Sequence, residues 1–228
     1  LLAELLDVLS LGKNKAFELK NFQSKLEQWV IFLKNNKSKK LSLQELIGLF
    51  GELLILDLLI NITKDEKVLF YWKGPFGEAQ DFVNNNKFIE IKTSATKKFS
   101  TVHISSEHQL DFHAKDSLYL CNVLIDENKS SMTLKYLVEK IRNKLNNENK
   151  KFFNQLLEAL KIDLKTLKIY DQKFLLNTTY FYNITEEFPS LISSDLDPRI
   201  TKVQYELDLY ELEKFSMNKN KALELFLR

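Results

Sequence analysis

What this 228-residue chain has little of closes off several functions at once. It carries one cysteine, Cys121, so no disulfide can form within the chain. Set in the apolar run LYLCNVLI, that thiol reads as a buried core group, and a reducing, cytosolic compartment is expected. Its five glycines supply no Gly-rich phosphate loop, and neither a serine elbow nor a nucleotide fingerprint is present. The three histidines, His103, His108 and His113, are spaced five and five. That spacing fits neither an i, i+4 helical pair nor a common zinc pattern, so a phosphate contact or a surface role is preferred over zinc. A net charge of +2 is too weak by itself to argue for nucleic acid; a DNA-cutting domain would need its positive charge gathered around one cleft. No secretion signal, internal repeat or low-complexity tract is visible. The longest apolar stretch, residues 41–62, is interrupted by Glu45, Glu52 and Asp57, which argues for a buried helix and against a membrane span. The chain opens at Leu1 inside a helical pattern, and a preceding N-terminal piece is expected.

What is present suffices for a folded domain: 44% of residues are hydrophobic, enough to bury a real core at this length. Residues 1–11 and 16–35 read as amphipathic helices, followed by a basic loop at 34–40 that is a solvated linker before it is a DNA contact. Ser42-Leu43-Gln44-Glu45 is a capping-box signal that starts a helix over 43–61, apolar nearly all round. Glu52 sits in its middle beside Gly48 and Gly51, and two glycines there suggest that another backbone approaches closely. Residues 68–73 read as a strand, 101–105 as another, 106–112 as a short helix capped by Ser106, and 117–125 as a long apolar strand. Amphipathic helices follow at 133–146 and 150–160; the lysines and arginine of the first form a solvated face before a DNA stripe. From 167 to 209 the signal is β, rich in tyrosine that serves sheet packing before base stacking, and 212–228 closes as a charged helix.

The chain is organised around residues 79–94, AQDFVNNNKFIEIKTS. Phe82, Ile89 and Ile91 alternate with Asp81, Glu90 and Lys92, the period of a half-buried strand, and Asn84, Asn85 and Asn86 are turn formers. A hairpin with its loop at 84–87 pairs Val83 with Phe88 and sets Asp81 opposite Glu90, with Cβ atoms roughly 4.5–5.5 Å apart. Lys92 joins the same face. Two carboxylates about 4 Å apart repel by roughly 4 kcal/mol at an effective dielectric near 20. A hard divalent cation between them relieves that repulsion, and a neighbouring lysine can then orient a water or deprotonate it, which is the chemistry of metal-dependent phosphodiester hydrolysis.

Asp81 followed by Glu90-Ile91-Lys92 resembles the PD-(D/E)xK nuclease signature. The stretches GLFGELLIL, WKGPFGEAQDFV, IEIKTS, VHISSEHQLD and SSDLDPRITKVQYELDL are similar to one branch of it, the bacterial PD-(D/E)xK motif proteins of restriction-type defence clusters. Gln80 stands where the motif's name has proline. The resemblance implies an α/β (α+β) fold: a restriction-endonuclease-like mixed sheet flanked by helices, with N-terminal helices (1–40), a nuclease core (41–165) and a β-rich C-terminal extension (166–228). It implies a Mg²⁺-dependent DNA endonuclease, with Mn²⁺ as a possible substitute. Asp81, Glu90 and Glu52 would hold the metal, Lys92 would act on the water, and Gln109 would sit near metal or phosphate. Lys87, Lys97 and Lys98 are candidate phosphate contacts. Double-stranded DNA is the expected partner, and a homodimer and a defence-cluster ATPase or methyltransferase are further candidates. The alternative is a catalytically silent nuclease-fold module that binds DNA or scaffolds a defence complex.

Overall fold

The computed structural model describes residues 40–95, 101–113 and 115–228. The expected helices over 1–11 and 16–35 lie outside them. The described chain begins beside helix α1, Leu43–Thr63, which carries the full capping box: Ser42 Oγ accepts from the Glu45 N–H, and Glu45 accepts from the Ser42 N–H. With eleven buried residues α1 is a core helix. Among the described residues it is the one helix long and apolar enough to cross a membrane, yet most of it is buried inside the protein. Truncating a core leucine such as Leu53 to alanine would cost about 2–5 kcal/mol.

A five-stranded mixed sheet packs against it. The strands are β1 (Phe82–Asn84), β2 (Lys87–Ser94), β4 (Ser117–Thr133), β5 (Lys173–Ile184) and β7 (Ser216–Met217), hydrogen-bonded in that order. Among the described strands only the β2–β4 pair is parallel. Its crossover carries β3 (Thr101–Ile104), which leaves the main sheet and pairs with β6 (Tyr205–Asp208) as a separate antiparallel ribbon. Alternation then sorts the two cores. Ile89, Ile91, Cys121 and Val123 join α1 and the helices α2 (Leu134–Arg142), α3 (Asn147–Ala159) and α4 (Lys219–Leu227) on one face. Leu118, Leu120, Tyr182 and Ile184 join the ribbon's Val102, Ile104 and Leu207 on the other. Cys121 is fully buried, and burial pushes its thiol well above the ordinary range.

The hairpin forms with Val83 opposite Phe88, and Asn84 also pairs with Lys87, so the turn shrinks to Asn85 and Asn86, with Asn85 at φ 54°. Several expectations are corrected. Residues 68–73 are not a strand but lie in a 3-10 turn, Glu66–Tyr71, ended by a single bridge from Trp72 to Phe82. Val68, Leu69 and Trp72 are the buried residues, a turn spacing rather than an alternation, and Asp65 caps the start. Residues 106–112 contract to a 3-10 turn, Glu107–Gln109, still capped by Ser106. In the β-rich region, 167–169 is another 3-10 turn, and the long strand β5 follows it. The closing helix starts only at Lys219, after a 3-10 turn, Tyr210–Phe215, and β7.

Candidate active site at the open edge of β2

β1 pairs with β2 only as far as Phe82 opposite Ile89; upstream of that the chain bends away. The edge of β2 is therefore open from Glu90 onward on that side. Asp81 closes part of it with its side chain: Oδ2 accepts the Ile91 N–H at 2.7 Å, in place of a ladder partner, while the Asp81 carbonyl accepts from the Lys73 N–H at 2.6 Å. Alternation along β2 turns Glu90 and Lys92 to one face, and Lys92 Nζ lies 2.8 Å from Glu90 Oε1.

Glu52 reaches the same edge from α1. Its Oε2 accepts from Trp72 Nε1 at 2.7 Å. Two glycines make room for this packing. A Cβ on Gly51 would overlap Thr93 Oγ1 of β2, and a Cβ on Gly74 would overlap the Glu52 carboxyl. The close neighbour of Gly51 is thus a side chain rather than the expected backbone, and Gly48 has open space around it. From the ribbon side, Gln109 Oε1 accepts from Lys92 Nζ at 2.8 Å and from the Ser105 N–H at 2.9 Å.

Burial pushes all three acids up. Asp81 is raised from 3.8 to about 6, against the Ile91 hydrogen bond and the Lys92 charge. Glu52 is raised well above the ordinary range by burial and then by Asp81, opposed by Trp72 and Lys92. Glu90 is raised by burial, then by Asp81 and Glu52, with Lys92 opposing. Asp81 raises both glutamates, and the Lys92 charge opposes the rise in all three acids. Fully ionised, three carboxylates and one ammonium leave two negative charges, with Glu90 buried and Glu52 and Asp81 half-buried.

Each acid nevertheless holds a protein donor: Trp72, the Ile91 N–H or Lys92. Among the described residues no three His, Cys, Asp or Glu side chains close into a ready-made cation shell. What remains open is Glu90 Oε2, buried and without a hydrogen-bond partner. An uncompensated carboxylate oxygen inside a net-negative, all-oxygen acid cluster fits a hard divalent cation that keeps part of its water shell.

Of the other expected contacts, Lys87 stands at the start of β2 on the opposite face from Glu90 and Lys92, so it is not brought to the cluster. Lys97 and Lys98 lie outside the described residues. The histidines do not converge: His103 pairs with Glu206, His108 with Glu107 and His113 with Asp111, all at exposed positions. Three neighbours of these groups carry little signal in the sequence. Trp72 reads as an ordinary aromatic of the expected strand at 68–73. Gln80 reads as a minor departure from the motif. Asn122, opposite Lys92 on β4, has a buried Oδ1 with no partner, and its signal was a lone amide inside an apolar strand.

Residues 1–210 match the family model described as "Putative PD-(D/E)XK family member" (DUF4420). The chain belongs to this family. No curated protein and no solved structure matches it. The helix-flanked mixed sheet is consistent with the nuclease-like fold of PD-(D/E)XK proteins.

Proposed function

We propose that this PD-(D/E)XK protein is a Mg²⁺-dependent DNA endonuclease of restriction or defence type, acting in the cytoplasm. The observation that carries the reading is the imbalance at the β2 edge: buried Glu90 and half-buried Glu52 and Asp81 beside one lysine, with a Glu90 oxygen that has no partner. Asp81, Glu90 and Glu52 would hold Mg²⁺, or Mn²⁺ in its place. Bound there, the ion would neutralise charge on the scissile phosphodiester and lower the pKa of water.

The chain's own groups do the rest. Lys92 offers three N–H donors, of which Glu90 Oε1 and Gln109 Oε1 take two. The third remains for the attacking water or a phosphate oxygen. Trp72 fixes the Glu52 carboxyl, and the Ile91 N–H fixes that of Asp81, so neither need reorganise when substrate arrives. A homodimer would set one site against each strand of a duplex, and an ATPase or methyltransferase from a defence cluster is a candidate partner.

The test is to incubate modified and unmodified duplex DNA with the protein in Mg²⁺ or EDTA, comparing wild type with Lys92→Ala. Strand breaks that need Mg²⁺, and that fall a hundredfold or more in Lys92→Ala, are the expected result. A catalytically silent module that binds DNA or scaffolds a defence complex is the second reading. It is favoured by the engagement of every acid with a protein donor and would give binding without breaks in either cation condition.

A further inference from the structure

Gln80 precedes Asp81 directly and occupies the place of the motif's proline. Its side chain is not a surface group; the residue is 5% exposed. Nε2 donates to two backbone carbonyls, His108 O at 2.6 Å and Gln109 O at 3.1 Å. A primary amide has two N–H donors, and both go to one short turn. That turn, Glu107–Gln109, is three residues long and carries Gln109, whose Oε1 receives the Lys92 ammonium. Leu110 anchors its far end in the ribbon-side core. A proline at position 80 would have no side-chain donor and could make neither bond.

We propose that Gln80 is a positioning residue: by tying the turn at 107–109 to the hairpin beside Asp81, it sets Gln109 Oε1 where it holds Lys92 over Glu90. The chain of contacts runs from Gln80 to the 108 and 109 carbonyls, from Gln109 to Lys92, and from Lys92 to Glu90. A lysine side chain is long and rotamer-rich, so its ammonium is well placed only if an acceptor waits at a fixed point. Gln80 contributes that fixity through the turn's backbone, alongside the Ser105 N–H that Gln109 Oε1 accepts directly, without touching the reacting atoms. Its catalytic consequence rests on the nuclease reading; the geometric coupling does not.

The experiment reads both. Metal-free protein carrying ¹³Cε,¹⁵Nζ-labelled lysine is compared at one pH as wild type, Gln80→Met, Gln109→Met and the double variant, with the Lys92 signal assigned by its loss in Lys92→Met. Gln80→Met is expected to move the Lys92 signal in the same direction as Gln109→Met, and the double variant no further than Gln109→Met alone. In the Mg²⁺ cleavage assay, Gln80→Met is expected to lower kcat about tenfold to a hundredfold while KM for duplex stays within twofold, the size of effect a roughly 1 Å misplacement produces. An unmoved Lys92 signal in Gln80→Met, or shifts that simply add in the double variant, would overturn the proposal. Should Gln80→Met lack a cooperative melt, Gln80→Asn, with both donors on a stem one methylene shorter, is read by the same criteria. A wild type that cuts nothing would sink the nuclease reading and leave the Lys92 signal to decide the coupling.

Discussion

Helix α1 carries two buried or partly buried acids five residues apart, Glu52 and Asp57, and their surroundings differ in kind. Asp57 is held by Lys140 at 2.9 Å, by Lys144 and by Asn61, so one carboxylate meets two ammonium groups. That cluster ties α1 to α2 and to the turn after it, and its charge is more than balanced. Glu52 feels the charges of Asp81 and Lys92, Lys92 is bonded to Glu90, and one Glu90 oxygen has no hydrogen-bond partner. The first arrangement is what a fold does with a buried acid when the aim is to keep helices together. The second is unfavourable as it stands, and the proposed cation would relieve it.

Neutralising charge at each cluster should therefore have opposite effects on stability, and this is the largest contrast to test. Replacing Lys140 and Lys144 together with methionine strands Asp57 and should cost about 3–5 kcal/mol, with DNA cleavage by the folded fraction unchanged. Asp81→Asn or Glu90→Gln should instead raise the melting temperature in EDTA at pH 8, by several degrees, while abolishing Mg²⁺-dependent cleavage. Thermal melts with and without EDTA check both arms. A fall in melting temperature for both acid variants would mean that the β2-edge acids stabilise the fold, as Asp57 does.

The next contrast is in pH. Asp81 binds its proton more tightly in the folded protein, at about 6, than at the ordinary 3.8. Its contribution to stability is thus full below 3.8 and lost as pH rises to about 6, an effect of about 3 kcal/mol in metal-free protein. The two glutamates, also raised by burial, add to the decline in the same direction. Urea midpoints in EDTA should fall across this window, and Asp81→Asn should flatten the part between 3.8 and 6. A midpoint that rises instead would place Asp81 in a favourable ion pair.

The smallest effect concerns Thr93, whose Oγ1 is buried against Gly51 with no hydrogen-bond partner. Thr93→Val removes an unsatisfied hydroxyl and should stabilise by about 1 kcal/mol, seen as a rise of a few degrees in the melt. A loss of stability would show that the hydroxyl has a partner in solution.

Much of this was legible because it is local. The Ser42–Glu45 box, the asparagine turn and the alternation of Glu90 and Lys92 are written within a few residues of one another, and each element formed in its place. The contact of Lys92 with Gln109 needed the motif's resemblance as well, since strand and turn meet only in three dimensions. What could not be read was non-local. Residues 68–73 have strand propensity, but burial of Val68, Leu69 and Trp72 on a turn spacing overrides it. β3 reads as a strand of the main sheet until its distant partner β6 draws it into a ribbon. Gln80 carries no local signal beyond its place in the motif, because both of its acceptors are backbone carbonyls that any sequence would supply.

The most direct measurement is calorimetric titration of Mg²⁺, and of Mn²⁺ in parallel, into EDTA-stripped protein near pH 7 in two buffers of different ionisation enthalpy. One saturable site with net proton release is expected, because raised carboxyls must give up protons to take the ion, and Glu90→Gln should abolish it. Absence of binding, or binding that survives Glu90→Gln with no proton released, would contradict a cation site at the β2 edge.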